Sequence, residues 1–336
     1  MTLYYLPIEN IVNRYTVMMN ETLRPLIDVT LYPDGFERVL IQSGEFLDVN
    51  NTIAFKAEQL KMVTQLFAQK FIHSGDVFLV GDLFFPGLEA IGYLAELQQL
   101  TIRIVGFNYA GRADETDFVQ QLRRWSDNAE RSWHQLASEI YVGSEFHAQR
   151  VRKYFDLPDS KVRVTGLIWN INWYNQLVSW QTPHAKQNYC IWPHRPATEK
   201  GLAEFLAAAA AVPDLHFLIT SCGNGRALPN LPLNVSYEAG LTKTEYLSLV
   251  KHARWFLSTA QQETFGYALQ EAILYGCEVL VPDRACYPEM VSSEALYSTF
   301  DQLVERLHHR DFEPLALAYT SRWSDNAQGI VTRLRT

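Results

Sequence analysis

The stretch Arg254-Trp-Phe-Leu-Ser-Thr-Ala260-Gln-Gln-Glu263-Thr-Phe-Gly266 decides the fold class of this 336-residue chain. Its first six residues form a largely apolar run that predicts a buried strand, and the polar residues up to Gly266 predict a turn. The pattern from Tyr267 onward predicts a helix that ends at Gly276. In α/β folds, ligands bind where such a loop leaves the carboxyl end of a strand.

The same alternation of strands and helices recurs on both sides of this stretch. It predicts strands at 2–6, 39–41, 76–80, 101–106, 139–142 and 161–165, then at 189–191, 216–219, 234–237 and 278–281. Helices are predicted at 53–71, 88–97, 116–137, 146–154, 199–211 and 243–251. Two such blocks predict an α/β protein with two Rossmann-like, doubly wound domains facing across a cleft. We expect these domains at 1–168 and 186–310, followed by a last helix within 311–336 that carries Trp323 on its apolar side.

The composition is that of an ordinary globular protein, with 48% hydrophobic and 20% charged residues. The net charge of -8 gives no overall electrostatic attraction to nucleic acid, although a local basic patch stays open. No apolar run approaches the ~20 residues that cross a bilayer, and Met1 leads directly into a strand, so we expect a soluble, cytoplasmic protein. The four cysteines form no C-x-x-C pair and are expected to be buried, reduced thiols.

Two carboxylates belong to the deciding stretch and its helix. Glu263 lies in the loop, and Glu271 lies eight residues later, inside the helix. Carboxylates accept hydrogen bonds from hydroxyl groups, so the pair suits a ligand with two sets of hydroxyls, such as a sugar and a ribose. The alternative is a surface glutamate followed by an ordinary helical glutamate, since this spacing is common by itself.

A second strand, loop and helix start carries two cations. Arg195 and Lys200 flank the predicted start of the helix over 199–211, with Thr198 as its expected N-cap. An Arg fork and a Lys charge beside the positive end of a helix can bind a diphosphate. The alternative is a pair of solvated surface cations.

In combination, these motifs resemble the retaining GT-B glycosyltransferases, a family that includes glycogen synthase and bacterial sugar transferases. The family's Arg-x-x-x-x-Lys-Gly segment matches Arg195 and Lys200-Gly201, and its Glu-x7-Glu segment matches Glu263-Thr-Phe265-Gly266 and Glu271. Further matches are Tyr275-Gly-Cys-Glu-Val-Leu-Val-Pro with Pro288-Glu289, Ile140-Tyr-Val-Gly-Ser144, Lys161-Val-Arg-Val-Thr-Gly166 and Arg322-Trp323. The resemblance implies a GT-B fold whose final helix crosses back to the first domain.

The resemblance also implies the roles of the donor-site residues. Arg195 and Lys200 would neutralise the diphosphate of a nucleotide sugar, with UDP as the expected nucleotide, and Glu271 would bind its ribose. The donor sugar would be held by Glu263 and the segment Thr264, Phe265, Gly266 and Tyr267. The enzyme would be a hexosyl- or pentosyltransferase that retains the anomeric configuration and needs no metal ion or other cofactor. Arg195, Lys200 and Glu263 are therefore also the expected catalytic residues on the donor side.

Loops of the first half are the expected acceptor site. Asp82 and Asn108 follow predicted strands and are candidates for catalysis as well as for acceptor binding, together with Glu9, Arg14, Tyr109 and Arg112. The alternatives are structural: Asp82 would cap the helix after Pro86, Asn108 would form a turn, and Arg112 would lie on the surface.

These loops, around Leu6-Pro-Ile-Glu9, Phe85-Pro-Gly87 and Gly106-Phe-Asn-Tyr109, resemble a narrower group of glycosyltransferases encoded by tailed bacteriophages. Some of that group glycosylate hydroxymethylated pyrimidines in DNA, which implies a DNA acceptor inside an infected bacterium. Charge does not favour this acceptor, because residues 112–163 contain nine Lys or Arg and nine Asp or Glu. Arg123-Arg124 and Arg150-Val-Arg152-Lys153 are possible phosphate contacts or solvated faces. A saccharide, lipid-linked or small-molecule acceptor and a non-catalytic nucleotide-sugar-binding module are the alternatives, and the oligomeric state is open.

Overall fold

The structure is a computed structural model that describes residues 1–11, 13–36, 52–182, 184–221, 228, 230–324 and 326–336. The chain divides into two compact units. Unit 1 comprises Met1–Trp169 together with Asp325–Thr336, and unit 2 comprises Asn170–Ser324. The closing segment of the chain therefore belongs to the same unit as its beginning. Among the described residues, no helix is both long and apolar enough to cross a membrane.

Unit 1 is a parallel sheet covered by helices. Within the described residues its strand order is β2-β1-β3-β4-β5-β6. The strands are β1 (Leu3–Leu6), β2 (Val29–Thr30), β3 (Val77–Val80), β4 (Arg103–Phe107), β5 (Glu139–Val142) and β6 (Val162–Val164). The helices are α1 (Tyr15–Leu23), α2 (Ala54–Ala68), α3 (Glu89–Leu97), α4 (Arg123–Leu136) and α5 (Glu145–Phe155). Every residue of β1 and β3 is buried, as expected for strands covered on both faces.

Unit 2 repeats the architecture, and its described strands are ordered β12-β11-β10-β7-β8-β9, with β13 antiparallel to β11. The strands are β7 (Gln187–Trp192), β8 (His216–Ser221), β9 (Val235–Ala239), β10 (Ala253–Leu257), β11 (Glu278–Pro282), β12 (Leu296–Tyr297) and β13 (Glu313–Pro314). The helices are α6 (Ile171–Leu177), α7 (Leu202–Ala211), α8 (Lys243–His252), α9 (Tyr267–Leu274), α10 (Tyr287–Met290), α11 (Phe300–His309) and α12 (Ala318–Ser321). The prediction of an α/β fold with two parallel-sheet domains is confirmed.

Three local predictions need correction or lie outside the description. The predicted strand at 39–41 falls outside the described residues. The helix predicted to begin at residue 116 begins at Arg123, because a short 3₁₀ helix, Phe118–Leu122, precedes it. The prediction of one last helix within 311–336 is wrong, since this segment contains β13, α12 and α13 (Asn326–Leu334). Pro314 lies in β13, and proline disfavours a helix interior, which helps to explain the break.

Side chains at both ends of α13 bind this helix to the rest of unit 1. Asn326 donates hydrogen bonds to the carbonyl oxygens of Leu167 at 2.7 Å and Thr165 at 3.3 Å, and it accepts one from the N–H of Trp169. At the other end of α13, Arg333 forms an ion pair with Glu139 of β5. These contacts tie α13 to the edge of unit 1 that carries β5 and β6.

Cysteine side chains are core residues of unit 2. Cys190, Cys277 and Cys286 are buried free thiols, as predicted. Cys222 lies outside the described residues. Burial raises the pKa of Cys277 to about 11, so this thiol is protonated at neutral pH and has a packing role.

Candidate active site

The loop between β10 and α9 has the predicted arrangement. β10 lies between β11 and β7, and the loop leaves its carboxyl end at Ser258. Gly266 is the N-cap of α9 in a left-handed conformation with φ of 74°, and as a glycine it brings no capping side chain to this helix start. Glu263 therefore lies in the loop and Glu271 inside the helix, as the sequence predicts.

The neighbouring loop after β7 packs directly against the loop after β10. Gly201 adopts φ of 72°, and a Cβ atom placed there would lie 2.1 Å from the carbonyl oxygen of Thr259. The Thr259 hydroxyl donates to the carbonyl oxygens of Lys200 and Gly201 at 3.1 and 3.0 Å. Gly201 thus permits a backbone approach that any side chain would prevent.

The helix predicted to begin at residue 199 begins later in the structure. Residues Thr198–Lys200 form a 3₁₀ turn, and α7 begins at Leu202 with Gly201 as its N-cap. Thr198 is not the N-cap, because the close contact between Gly201 and Thr259 places the helix start three residues later than the threonine would.

Lys200 joins the two loops through a salt bridge. Its ammonium group lies 3.0 Å from Oε2 of Glu263 and 3.1 Å from the carbonyl oxygen of Gln262. Burial alone would disfavour the Glu263 carboxylate, but the charge and hydrogen bond of Lys200 hold its pKa below the usual range. Arg195, on the same loop, forms an ion pair with Glu199. Both predicted diphosphate-binding cations therefore lie between β7 and α7, and each is paired with a carboxylate.

His194 is a buried neutral neighbour of these charges. Burial lowers the pKa of His194 to about 3, and the nearby Lys200 charge acts in the same direction. Its Nε2 atom lies 2.9 Å from the hydroxyl of Ser258, the first residue after β10. The imidazole can therefore contribute hydrogen bonds to this site but no positive charge at neutral pH.

Glu271 lies in a separate set of contacts one turn into α9. Its Oε1 atom accepts a hydrogen bond from the Tyr174 hydroxyl at 2.9 Å and forms an ion pair with Lys243. Its Oε2 atom accepts from the Tyr246 hydroxyl at 2.7 Å. The spacing of the two glutamates gives no indication of these partners, which come from α6 and α8.

The aromatic part of the predicted donor segment has a packing role. Phe265 is buried, with its ring centroid 5.2 Å from that of Tyr267 and 5.7 Å from that of Trp323, both near edge-to-face. Arg322 lies over the Trp323 ring at 4.8 Å. Phe265 thereby anchors the loop, which leaves the backbone of Thr264–Tyr267 to define the helix entrance.

In unit 1, the predicted acceptor residues Glu9, Asp82 and Asn108 follow the adjacent strands β1, β3 and β4. Glu9 is buried and accepts a hydrogen bond from Thr52 at 2.7 Å, with Lys56 at 3.5 Å. Burial raises the pKa of Asp82 to about 6, partly offset by the Phe84 N–H that donates to its Oδ1 atom at 3.0 Å. Asp82 does not cap the following helix, because its carboxylate is used in its own turn.

Asn108 and Tyr109 are fixed by neighbouring side chains. Asn108 is buried, and its amide nitrogen lies 2.9 Å from Nε2 of His134, while its Oδ1 atom has no hydrogen-bond partner among the described residues. Tyr109 packs against Tyr15 with ring centroids 5.2 Å apart, and its hydroxyl donates to the sulfur of Met19. Arg14 lies just before α1, half-buried, in extended backbone.

Arg112 is buried and takes part in a network of side-chain hydrogen bonds. It is 5% exposed, so the surface alternative is wrong. Its guanidinium donates to Asp127 at 2.7 Å and to the Tyr154 hydroxyl at 3.2 Å, and it also bonds Gln120. Its backbone N–H donates to Glu130 at 3.0 Å. These contacts brace the loop after β4.

The described residues contain no cluster of three or more His, Cys, Asp or Glu side chains able to hold a metal ion. The site in unit 2 combines cations, carboxylates and a helix start whose N-cap residue is Gly266, a combination suited to an anionic ligand with several hydroxyl groups. No protein-family model matches the chain.

Solved structures resemble the whole chain. Sucrose-phosphate synthase from Thermosynechococcus elongatus superposes with a TM-score of 0.65 and 13% identity, covering 100% of this chain and 95% of that one. HepE of Anabaena, solved in complex with UDP, superposes with a TM-score of 0.62 and 14% identity, covering 99% and 95%. The chain has the GT-B fold. The resemblance to GT-B glycosyltransferases is thus confirmed at the level of the fold.

One curated relative is similar in sequence to part of this chain. The tRNA-queuosine alpha-mannosyltransferase of Drosophila melanogaster is 28% identical over 132 residues. That match covers 36% of this chain and 35% of the relative. The similarity therefore extends over about a third of each sequence.

Proposed function

We propose that the protein is a retaining glycosyltransferase that moves a sugar from a nucleoside diphosphate, expected to be UDP, to a hydroxyl group of an acceptor. The observation that carries the proposal is the salt bridge between Lys200 and Glu263, which joins two loops at the carboxyl ends of adjacent strands. Arg195 lies in the first of these loops, and the second enters the helix that carries Glu271.

The charges of this site suit a departing diphosphate. Arg195 is paired with Glu199, and Lys200 with Glu263. A bound diphosphate offers both cations stronger anionic partners, and it would free the Glu263 carboxylate to accept hydrogen bonds from the sugar. As the bond to the sugar breaks, negative charge grows on the diphosphate, and fixed cations stabilise that charge.

Retention and metal independence belong to the same proposal. The acceptor hydroxyl attacks on the face from which the diphosphate leaves, and a donor phosphate oxygen takes its proton, so no side-chain nucleophile is required. The cations Arg195 and Lys200 supply the charge compensation that a metal ion provides in other transferases. Addition of a chelator should therefore leave the turnover rate unchanged.

For the acceptor, we propose a hydroxyl group on a modified base of a polynucleotide, with 5-hydroxymethylpyrimidine in bacteriophage DNA as the first candidate. The relative named as a tRNA-queuosine alpha-mannosyltransferase supports the wider class, because queuosine is a modified nucleoside of tRNA. We place the acceptor contacts on the unit 1 loops of Glu9, Asp82 and Asn108. Reaching a base within a duplex would require its extrusion from the stack.

Of the two basic segments, we propose Arg123-Arg124 at the start of α4 for contacts to phosphate groups. Arg123 and Arg124 are exposed at the start of this helix, and Arg123 lies 3.6 Å from Asp127 in an exposed ion pair. Arg150 is engaged with the carbonyl oxygen of Ala113, and Arg152 with Glu145. The exposed side chains of Arg123 and Arg124 are more accessible to a phosphate backbone than the half-buried side chains of Arg150 and Arg152.

The experiment measures release of the nucleoside diphosphate from a panel of nucleotide sugars. Each donor is tested with hydroxymethylcytosine DNA, unmodified DNA, queuosine-containing tRNA and a set of saccharides. We expect turnover that depends on a modified polynucleotide. Turnover with saccharides alone would refute the polynucleotide acceptor, and donor binding without any turnover would favour a non-catalytic nucleotide-sugar-binding module.

A matched pair of variants tests the donor residues. Glu263→Gln removes a carboxylate from the site, and we expect transfer to fall by roughly 10²-fold or more, as for loss of a charged contact to substrate. Glu278→Gln is the control, because Glu278 pairs with Arg254 at 3.5 Å at the opposite, amino end of β11. Equal activity of the two variants would show that the donor assignment is wrong.

A further inference from the structure

The carboxylate of Glu271 has an unusual set of partners for a helical glutamate. It is 3% exposed and receives hydrogen bonds from the hydroxyls of Tyr174 and Tyr246, at 2.9 and 2.7 Å. The ammonium group of Lys243 completes the set by an ion pair with Oε1. We call these three side chains the Glu271 cage.

All three cage members donate hydrogen bonds to Glu271, and their side chains also pack against one another. Lys243 lies 4.6 Å from the ring centroid of Tyr246 and 5.6 Å from that of Tyr174, within cation–π distance. Tyrosine hydroxyls on packed rings have few rotamers, so two of the three donors are rigid. The cage therefore holds a charged carboxylate in one orientation within a buried setting.

The cage leaves the carboxylate with capacity for a further donor. An ionised carboxylate offers about four acceptor positions, and the described residues supply three donors to Glu271. Oε1 receives two of them and Oε2 receives one. A ligand hydroxyl can therefore donate to Oε2 without displacing a tyrosine, or it can replace the flexible ammonium of Lys243 at Oε1.

We propose that Tyr174, Tyr246 and Lys243 are positioning residues that orient Glu271 toward the ribose hydroxyls of the donor nucleotide, and that they create selectivity for ribonucleotides over 2′-deoxyribonucleotides. This inference rests on the proposed nucleotide-sugar function. A site built to hydrogen-bond a hydroxyl disfavours the analogue that lacks it, because the buried acceptor is then left without its partner. Loosening the cage weakens this discrimination, since a mobile carboxylate can turn to other donors.

The test compares binding of a nucleoside diphosphate with that of its 2′-deoxy counterpart by calorimetry. UDP, GDP and ADP are each paired with dUDP, dGDP and dADP. For the wild-type protein we expect the ribonucleotide that binds to be preferred by roughly 10- to 100-fold, the range for a hydrogen bond to a charged group. In Tyr246→Phe and in Tyr174→Phe the preference should fall to about threefold or less.

Tyr275→Phe is the matched control. Its hydroxyl donates to the carbonyl oxygens of Val178 and Tyr174, at 2.9 and 3.3 Å, so the variant loses a buried tyrosine hydroxyl next to the cage without touching Glu271. Its preference for the ribonucleotide should equal that of the wild type. In turnover, the cage variants should raise the KM for the donor and leave kcat within about twofold.

The outcomes separate this inference from the proposed function. A wild-type protein that binds none of the three nucleotides would overturn both. Binding with a ribonucleotide preference that is unchanged in both Tyr246→Phe and Tyr174→Phe would overturn the inference alone. An equal loss of preference in Tyr275→Phe would also overturn it, because general loosening of the packing would then explain the effect.

Discussion

Glu130, on α4 of unit 1, provides the sharpest test of the electrostatics. This carboxyl group is 1% exposed, and burial raises its pKa to about 8. The N–H of Arg112 donates to Oε2 at 3.0 Å and partly offsets the rise, while the charges of Asp117 and Asp82 add to it. Oε1 has no hydrogen-bond partner among the described residues. At neutral pH the folded protein therefore keeps Glu130 protonated.

The perturbation is Glu130→Gln, which keeps an acceptor for the Arg112 N–H and removes the ionisable group. The folded state holds a proton that the unfolded chain releases above its usual pKa of 4.5. The stability of the wild type therefore falls as pH rises from about 4.5 to about 8, by ~1.4 kcal/mol per pH unit within that window. The variant has no ionisable group at this position, so its stability lacks this fall with pH. We expect it to gain roughly 2–4 kcal/mol relative to the wild type between pH 5 and pH 8.5.

The assay is calorimetric unfolding of both proteins at pH 5 and pH 8.5. A gain of this size should raise the melting temperature of the transition that reports on unit 1 by several degrees at pH 8.5 and by little at pH 5. Glu58→Gln on α2 is the control, since Glu58 is exposed and pairs with exposed Lys61. A difference between Glu130→Gln and wild type that is the same at both pH values would refute the reasoning, as would destabilisation at pH 8.5.

Two further predictions concern one glycine and one acid. Gly201→Ala should lower the free energy of unfolding by roughly 2–5 kcal/mol, because the added Cβ meets Thr259 and the φ of residue 201 is left-handed. Gly240→Ala is the control: Gly240 has the same φ of 72° but open space around it, so this variant should lose only about 1–2 kcal/mol. Equal melting temperatures of the two variants would contradict the close contact between Gly201 and Thr259. If the Asp82 carboxylate contacts the acceptor, kcat/KM should fall about tenfold between pH 7 and pH 5, because its pKa of about 6 lies between them. A pH profile of Asp82→Asn that keeps this fall would assign it to another group.

The donor loops could be predicted from sequence because their positions follow from local patterns. The apolar run ending at Leu257 and the helical pattern from Tyr267 fix where the loop of Glu263 lies, and parallel topology places it at the carboxyl edge. The loop of Lys200 follows from β7 in the same way. Because β7 and β10 are adjacent parallel strands, the loops that follow them lie side by side.

The partners of these residues could not be predicted, because they depend on long-range packing. Tyr174 lies 97 residues before Glu271 along the chain, in a segment with little periodicity. The start of α7 at Leu202 depends on how closely Gly201 approaches Thr259, a contact between distant segments. The sequence leaves Arg112 open between an acceptor contact and a surface position, and its burial depends on Asp127, Tyr154 and Gln120, which bond its guanidinium.

The most direct test of the central claim is calorimetric titration of the wild-type protein and of Lys200→Met with UDP. Lys200 contacts Glu263 at 3.0 Å in the site assigned to the diphosphate, so its loss removes a charge-assisted contact to the nucleotide. We expect the wild type to bind UDP and Lys200→Met to bind it at least about tenfold more weakly. Equal affinity of the two proteins, or absence of binding to UDP, GDP and ADP by the wild type, would contradict it.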